Sequence, residues 1–300
     1  MKIVVSGSTG LIGSALVPRL VREGHEVVPL VRRPVTRGER AFSWDPESGT
    51  IDRAGLETAG IDAVVNLAGE NVFGRWTPAK KQRVRESRVH GTRLVADAIA
   101  GLASPPRVLL AASAVGYYGD RGEEVMTEAS AAGDDFLAHV ARDWEAATAG
   151  AAAAGIRVHN LRFGVVLTPT GGGLGKMLPA FRVGLGGPVG SGNQYFSWIA
   201  LDDAINGILH VLATPSLAGP VNITSPTPVT NREFAKTLAK VLGRPAVVTV
   251  PAFALRMAFG TEGAAMLQSG QRAVPVRLLE SGFRFCYETL EPALRHLLAA

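Results

Sequence analysis

The clearest chemical signal in the chain lies near its start, in Gly7-Ser8-Thr9-Gly10-Leu11-Ile12-Gly13. These residues follow the apolar run Ile3-Val4-Val5 and lead into a helical pattern, so the glycines fall at a strand-to-helix turn. Glycine there permits a positive φ, and the missing side chain lets backbone N–H groups approach an anion at the positive end of the helix. The arrangement suits a dinucleotide pyrophosphate, with spacing GxxGxxG in place of the ordinary GxGxxG fingerprint; a purely structural turn is the alternative. The next apolar run ends in Val31-Arg32-Arg33, where an acidic residue would have bonded a ribose 2′-hydroxyl. A guanidinium offers a planar fork for phosphate, so NADP(H) is favoured over NAD(H), with one arginine of the pair left to solvent as the alternative.

The elements that must position these groups alternate. Short β-branched runs at 2–6, 26–31, 63–67, 107–113 and 156–163 are separated by helical patterns at 15–23, 78–100 and 134–153. That alternation predicts an α/β fold, a Rossmann-type doubly wound parallel sheet. After Gly164 the texture changes, and the glycine-rich stretches at 168–175 and 184–192 are expected to be loops. The predicted organisation is a dinucleotide-binding domain over 1–165 plus about 196–214, with a smaller substrate-binding region from 166–195 and 215–300.

Composition narrows the function classes. With 300 residues, 47% of them hydrophobic, the chain can bury a full core without metal or disulfide staples. Its 31 Lys and Arg against 26 Asp and Glu are scattered, and only 6% of residues are aromatic, which argues against a nucleic-acid groove. The lone Cys286 fits a reducing compartment, and no stretch reaches the ~18 apolar residues of a membrane span, so a cytoplasmic protein with no membrane partner is expected. The six histidines show no metal-ligand spacing, and no metal is expected. A serine hydrolase lacks its GxSxG elbow.

The motifs together resemble the short-chain dehydrogenase/reductase superfamily, specifically its extended, epimerase-like members. They are the glycine loop, Asn66-Leu67-Ala68-Gly69, Gly91-Thr92, Ser113 followed by Tyr118-Gly119, and Trp198-Ile199 with Asp202. The stretches NLAGENV, SAVGYYG, GGGLGKMLP and the terminal LLESGFRFCY resemble the branch called epimerase family protein, an atypical one with no assigned substrate. The resemblance implies that Gly7, Thr9, Gly10, Leu11, Ile12 and Gly13 hold the pyrophosphate, and that Arg32, at the strand end after Val31, holds a 2′-phosphate. It implies that Leu67, Ala68 and Gly69 line the ribose and nicotinamide side, with Phe163 and Gly164 near the nicotinamide. Where extended members have Asn before xxGT, this chain has Arg88, free to bind a cofactor phosphate, a ribose or a substrate carboxylate, or to lie on the helix surface.

One part of the family pattern is missing. Extended members place a Tyr-x-x-x-Lys pair on the helix after the Ser strand, where lysine and cofactor ready the phenol for proton transfer. Here the helix reads Phe136-Leu137-Ala138-His139-Val140-Ala141-Arg142-Asp143-Trp144-Glu145, with neither residue. Ser113, Tyr117 and Tyr118 are the candidates to replace it, against packing roles for the tyrosines; His139 is expected on a partly exposed helix face, and Glu70 beside Gly69 either orients a ligand or bonds its own loop. The expected function is an NADP(H)-dependent oxidoreductase or epimerase-like enzyme for a small carbonyl or hydroxyl compound. The alternative is an NADP(H)-binding redox sensor or interaction module without turnover. Proteins of similar fold often pair through long helices, which makes a homodimer one open assembly beside the monomer.

Overall fold

The computed structural model describes residues 1–246, 248–250 and 252–299. The N-terminal half runs β1 (Lys2–Ser6), α1 (Gly13–Arg22), β2 (Glu26–Val31), β3 (Phe42–Asp45), β4 (Thr50–Ile51), α2 (Arg53–Ala59), β5 (Ala63–Asn66), α3 (Pro78–Ala100) and β6 (Val108–Ala114). A 3₁₀ turn at Val115–Tyr118 leads to β7 (Val125–Met126), α4 (Phe136–Ala146), α5 (Ala149–Ala153), β8 (Arg157–Phe163) and β9 (Val165–Leu167). Then follow α6 (Gly172–Arg182), β10 (Tyr195–Phe196), β11 (Trp198–Ala200), α7 (Leu201–Ala213), β12 (Val221–Ile223), β13 (Val229–Thr230) and α8 (Asn231–Leu242). The chain ends with α9 (Ala252–Gln268), β14 (Arg272–Ala273), α10 (Val276–Glu280) and α11 (Leu290–Ala299).

Eight strands form the central sheet in the order β12-β8-β6-β5-β1-β2-β3-β4, parallel except for the β3–β4 pair. The order reverses between β1 and β5, and open α/β sheets bind their ligands at the carboxyl ends of strands beside such a reversal. Both faces are covered, which is why the strands read as apolar runs without alternation. Ile3, Val5, Leu110 and Leu161 pack under Leu16 and Leu20 of α1 and under Ile208 and Val211 of α7. Val4, Val64 and Leu109 pack under Val95 and Ile99 of α3 and Leu56 of α2.

The long helix α3 starts where its sequence says it should. The Thr77 hydroxyl accepts from the Lys80 N–H, and Pro78 occupies the first turn, where its missing N–H costs nothing. Two family motifs tie this helix to the sheet: the Asn66 amide donates to Thr92 Oγ1 at 2.9 Å, and the Trp144 indole N–H donates to the same oxygen at 2.8 Å. Asn66 and Thr92 are therefore framework, holding β5, α3 and α4 in register.

Three features differ from the sequence reading. The stretch 168–175, expected as loop, enters the helix α6, because Leu174, Leu178 and Phe181 give it a buried stripe that outweighs the poor helix propensity of glycine. Residues 221–223, placed in the smaller region, form the edge strand β12 of the central sheet. The helical pattern at 134–153 is interrupted at Ala147-Thr148, giving two helices. Among the described residues no helix is long and apolar enough to cross a membrane.

Candidate functional site

The turn between β1 and α1 is built for an anion. Gly7 has φ +66°, and a Cβ on it would stand 2.9 Å from the Ala68 nitrogen. A Cβ on Gly13 would stand 2.1 Å from the Gly7 carbonyl oxygen, closer than any side chain allows. Gly10 N–H closes the turn onto the Gly7 carbonyl at 3.0 Å, while the N–H groups of Thr9, Leu11 and Ile12 donate to no acceptor among the described residues. Helix α1 lacks a side-chain cap, so these donors and the helix dipole face outward together. The start of α6 abuts this turn, with Gly171 and Gly172 against the Leu11 side chain.

On the β2 side the two arginines part company. Arg33 is taken up by Glu39, Nη1 donating to Oε2 at 3.0 Å, whereas the Arg32 guanidinium hydrogen-bonds no described protein group. Val31, half-buried, ends β2 beside Ser43 of β3. The fork at the strand end is thus Arg32 alone.

On the β5 side, Leu67 N–H donates to the Ser6 carbonyl and Ala68 N–H to Ser6 Oγ, so the loop is fastened to β1. Arg88 lies beneath Gly69: its Nη1 donates to the carbonyls of Glu70 and Val84, and its guanidinium carbon sits 5.0 Å from the Trp144 ring centroid. Burial pulls its pKa down to about 10, with Glu70 opposing that effect. Arg88 is therefore a desolvated cation at the cleft, not a surface residue, and its Nε and Nη2 have no described protein acceptor. Glu70 bonds Lys80 at 2.7 Å, which holds its carboxyl below the usual range, and it does not bond the amides of its own loop.

Ser113 and the tyrosines belong to a connected network. Register places Ser113 of β6, Arg162 of β8 and Asn222 of β12 side by side across three strands. Ser113 Oγ lies 2.7 Å from Glu145 Oε1, and Arg162 grips the same carboxylate with Nε at 2.7 Å and Nη2 at 2.8 Å. Arg162 Nη1 donates to the Tyr118 hydroxyl at 3.0 Å, which donates onward to Asn222 Oδ1 at 2.7 Å. The Asn222 amide donates to the Val274 carbonyl at 2.9 Å. Burial tends to lower the Arg162 pKa, but the bonds and charge of Glu145 outweigh it and raise the value.

The network corrects the expectation for Tyr118. Its ring is fully buried, both sides of its hydroxyl are engaged, and burial pushes its pKa up to about 12. Such a phenol is a packing and bonding residue. Tyr118→Phe is expected to cost about 1–3 kcal/mol of stability by orphaning its partners, with NADPH affinity unchanged; a calorimetric scan and a titration of the same variant check both. Tyr117 differs: its half-buried ring carries the Arg162 guanidinium 3.5 Å from its centroid, and its hydroxyl has no described partner. Phe163 lies in the core, and Gly164 is needed because a Cβ there would stand 2.6 Å from the Ser197 carbonyl oxygen. His139 is half-buried and bonds Asp134 at 2.8 Å, away from the network.

Glu145 and Arg162 are the site residues that sequence reasoning missed. The available signal was on α4, where Ala138, Ala141 and Trp144 mark the buried face and Glu145 continues it. A carboxylate at the end of an apolar stripe requires a buried partner.

Comparisons with known proteins agree with this geometry. Residues 3–224 match the NAD dependent epimerase/dehydratase family, and residues 250–297 match a domain of unknown function. An epimerase family protein of Mycobacterium bovis is 44% identical over 295 residues, covering 97% of this chain and 96% of its own. The crystal structure of the human epimerase family protein SDR39U1 with NADPH superposes with a TM-score of 0.88 at 35% identity, covering 100% of this chain and 99% of the other. A UDP-glucose 4-epimerase of Thermotoga maritima, at 17% identity and TM-score 0.78, shares the fold. The chain belongs to the NAD dependent epimerase/dehydratase family.

Proposed function

We propose that this protein is an NADP(H)-binding oxidoreductase or epimerase-like enzyme acting on a small carbonyl or hydroxyl compound. The observation that carries the reading is the uncapped N–H cradle of Thr9, Leu11 and Ile12 beside a β2 end that has no acid at 31–33 and whose Arg32 hydrogen-bonds no described protein group, Asp45 and Glu70 acting on it only through their charge. The human relative crystallised with NADPH supports the choice of cofactor. Thr9, Leu11 and Ile12 hold the pyrophosphate, with Gly7, Gly10 and Gly13 keeping the space clear. Arg32 holds the 2′-phosphate, and Val31 and the Leu67-Ala68-Gly69 loop wall the ribose side. When bound, the nicotinamide supplies or takes the two electrons that interconvert a carbonyl and a hydroxyl.

The chain's own groups for the reacting oxygen are Ser113 and the free hydroxyl of Tyr117. The absence of Tyr and Lys from α4 leaves no other hydroxyl or amine on that helix to do the work. Fluorescence titration tests the cofactor assignment: Arg32→Glu is expected to weaken NADPH by about tenfold or more, the loss of one charge-assisted phosphate contact, and to leave NADH almost untouched. Equal losses for both would sink it.

Arg88 is assigned to the nicotinamide half of the cofactor. In Arg88→Met, NADPH is expected to bind about tenfold more weakly. Adenosine 2′,5′-bisphosphate, which lacks that half, should bind as before in isothermal titration. A loss shared by both ligands would place Arg88 elsewhere.

A further inference from the structure

The network around Ser113 has a fixed direction, because it is anchored at both ends by groups that cannot change role. The Val274 carbonyl only accepts, so the Asn222 amide nitrogen faces it and Asn222 Oδ1 faces Tyr118. A guanidinium only donates, so Tyr118 accepts from Arg162 and gives its own hydrogen to Asn222. Arg162 also donates to both oxygens of Glu145, the bidentate pairing of a guanidinium with a carboxylate. An ionised carboxylate only accepts, so Ser113 must spend its single hydrogen on Glu145 Oε1. What remains on Ser113 Oγ is a pair of acceptor sites. No described protein group donates to that oxygen, which lies at the carboxyl end of β6, where open α/β sheets meet their ligands.

We infer that Ser113 presents an acceptor to the bound substrate, with Glu145 as the positioning residue that sets this polarity, and that the group held there is a hydrogen-bond donor: the hydroxyl of a carbinol, not a carbonyl oxygen. The inference rests on the oxidoreductase reading and names the form of the substrate that the resting site accepts. A serine free to rotate would serve either form; this one is committed by two buried charges. Val274, at the far end of the chain of bonds, lies within residues 250–297 and fixes the orientation of Asn222, while Glu145 and Arg162 fix that of Ser113.

Replacing Glu145 together with Arg162 gives the inference a test that a merely structural role would not pass. Glu145 Oε1 takes both the Ser113 hydrogen and the Arg162 Nε–H, so an amide at 145 would keep its oxygen there and leave Ser113 donating. The double variant Glu145→Leu with Arg162→Met removes that acceptor without stranding a charge, and Ser113 is then free to donate to a ligand. The probes are 1-phenylethanol, with protein loaded with NADPH, and acetophenone, with protein loaded with NADP⁺, pairs that cannot react; binding is read by saturation-transfer NMR. The native protein is expected to hold the alcohol about fivefold more tightly than the ketone, Ser113→Ala to hold both alike by losing the alcohol, and the double variant to hold both alike by gaining the ketone, each change being the worth of one neutral hydrogen bond. Ser113→Ala leaves the ion pair intact and tests the inference even if the double variant folds poorly. A ketone held as tightly as the alcohol by the native protein, no detectable binding of either, or a preference unchanged in Ser113→Ala overturns it. Failure of the cofactor assignment would appear separately, as a native protein that does not bind NADPH.

Discussion

Gly13→Ala is expected to raise the Kd for NADPH about a hundredfold or more, a loss of ~2.7 kcal/mol. The added methyl group would stand 2.1 Å from the Gly7 carbonyl oxygen, and backbone on both sides leaves it nowhere to move. The turn must open, which displaces the Leu11 and Ile12 N–H groups from a common target. Overpacking of this kind costs roughly 1–3 kcal/mol of fold stability as well, so the melting temperature should fall by several degrees. Titration of intrinsic fluorescence with NADPH, with calorimetry alongside, checks both parts. A Kd within about threefold of native would mean that the cradle is not the pyrophosphate site.

The second large effect concerns the buried ion pair. Arg162 and Glu145 expose only 3% and 12% of their side chains, so breaking the pair leaves a charge with neither water nor counter-charge. Arg162→Met is expected to destabilise the protein by about 3–5 kcal/mol, which corresponds to a fall in Tm of about 10 °C for a chain of this size. Replacing both partners, with Arg162→Met and Glu145→Leu together, should recover a good part of that loss, because the doubly apolar site no longer strands a charge. Thermal unfolding of the two single variants and the double variant measures the coupling. Additive losses would show that the pair does not hold this end of the sheet together.

The sequence made much of the sheet legible for a physical reason: a parallel strand buried on both faces has to be an unbroken apolar run. Lys2–Ser6 and Glu26–Val31 were read at their exact bounds, and Pro78–Ala100 carried its own start signals. The hairpin of β3 and β4 and the helix α2, between 42 and 59, went unassigned because they are short and lie at the sheet edge, where alternation is weak. Helix α6 was hidden by its glycines, since its helicity comes from burying Leu174, Leu178 and Phe181 against distant residues such as Phe234 and Leu294. Edge strand β12 has three residues, too few to announce a partner 60 positions earlier, Val221 pairing Leu161.

The site divides along the same line. By itself the sequence determined the dinucleotide turn, since a local backbone shape requires glycine at Gly7 and Gly13, and it determined that α4 carries no tyrosine or lysine. It also offered Arg32 and Arg33 as equals. Only the tertiary structure decided between them, by bringing Glu39 to Arg33, and only it showed that Tyr118 is spent in the core while Tyr117 keeps a free hydroxyl. Ser113, Glu145, Arg162 and Asn222 are separated by 17 to 109 positions, and nothing local links them. A turn is fixed by neighbours in the chain, but the direction of a hydrogen bond at Ser113 is fixed by strands and helices that meet only when the sheet is assembled.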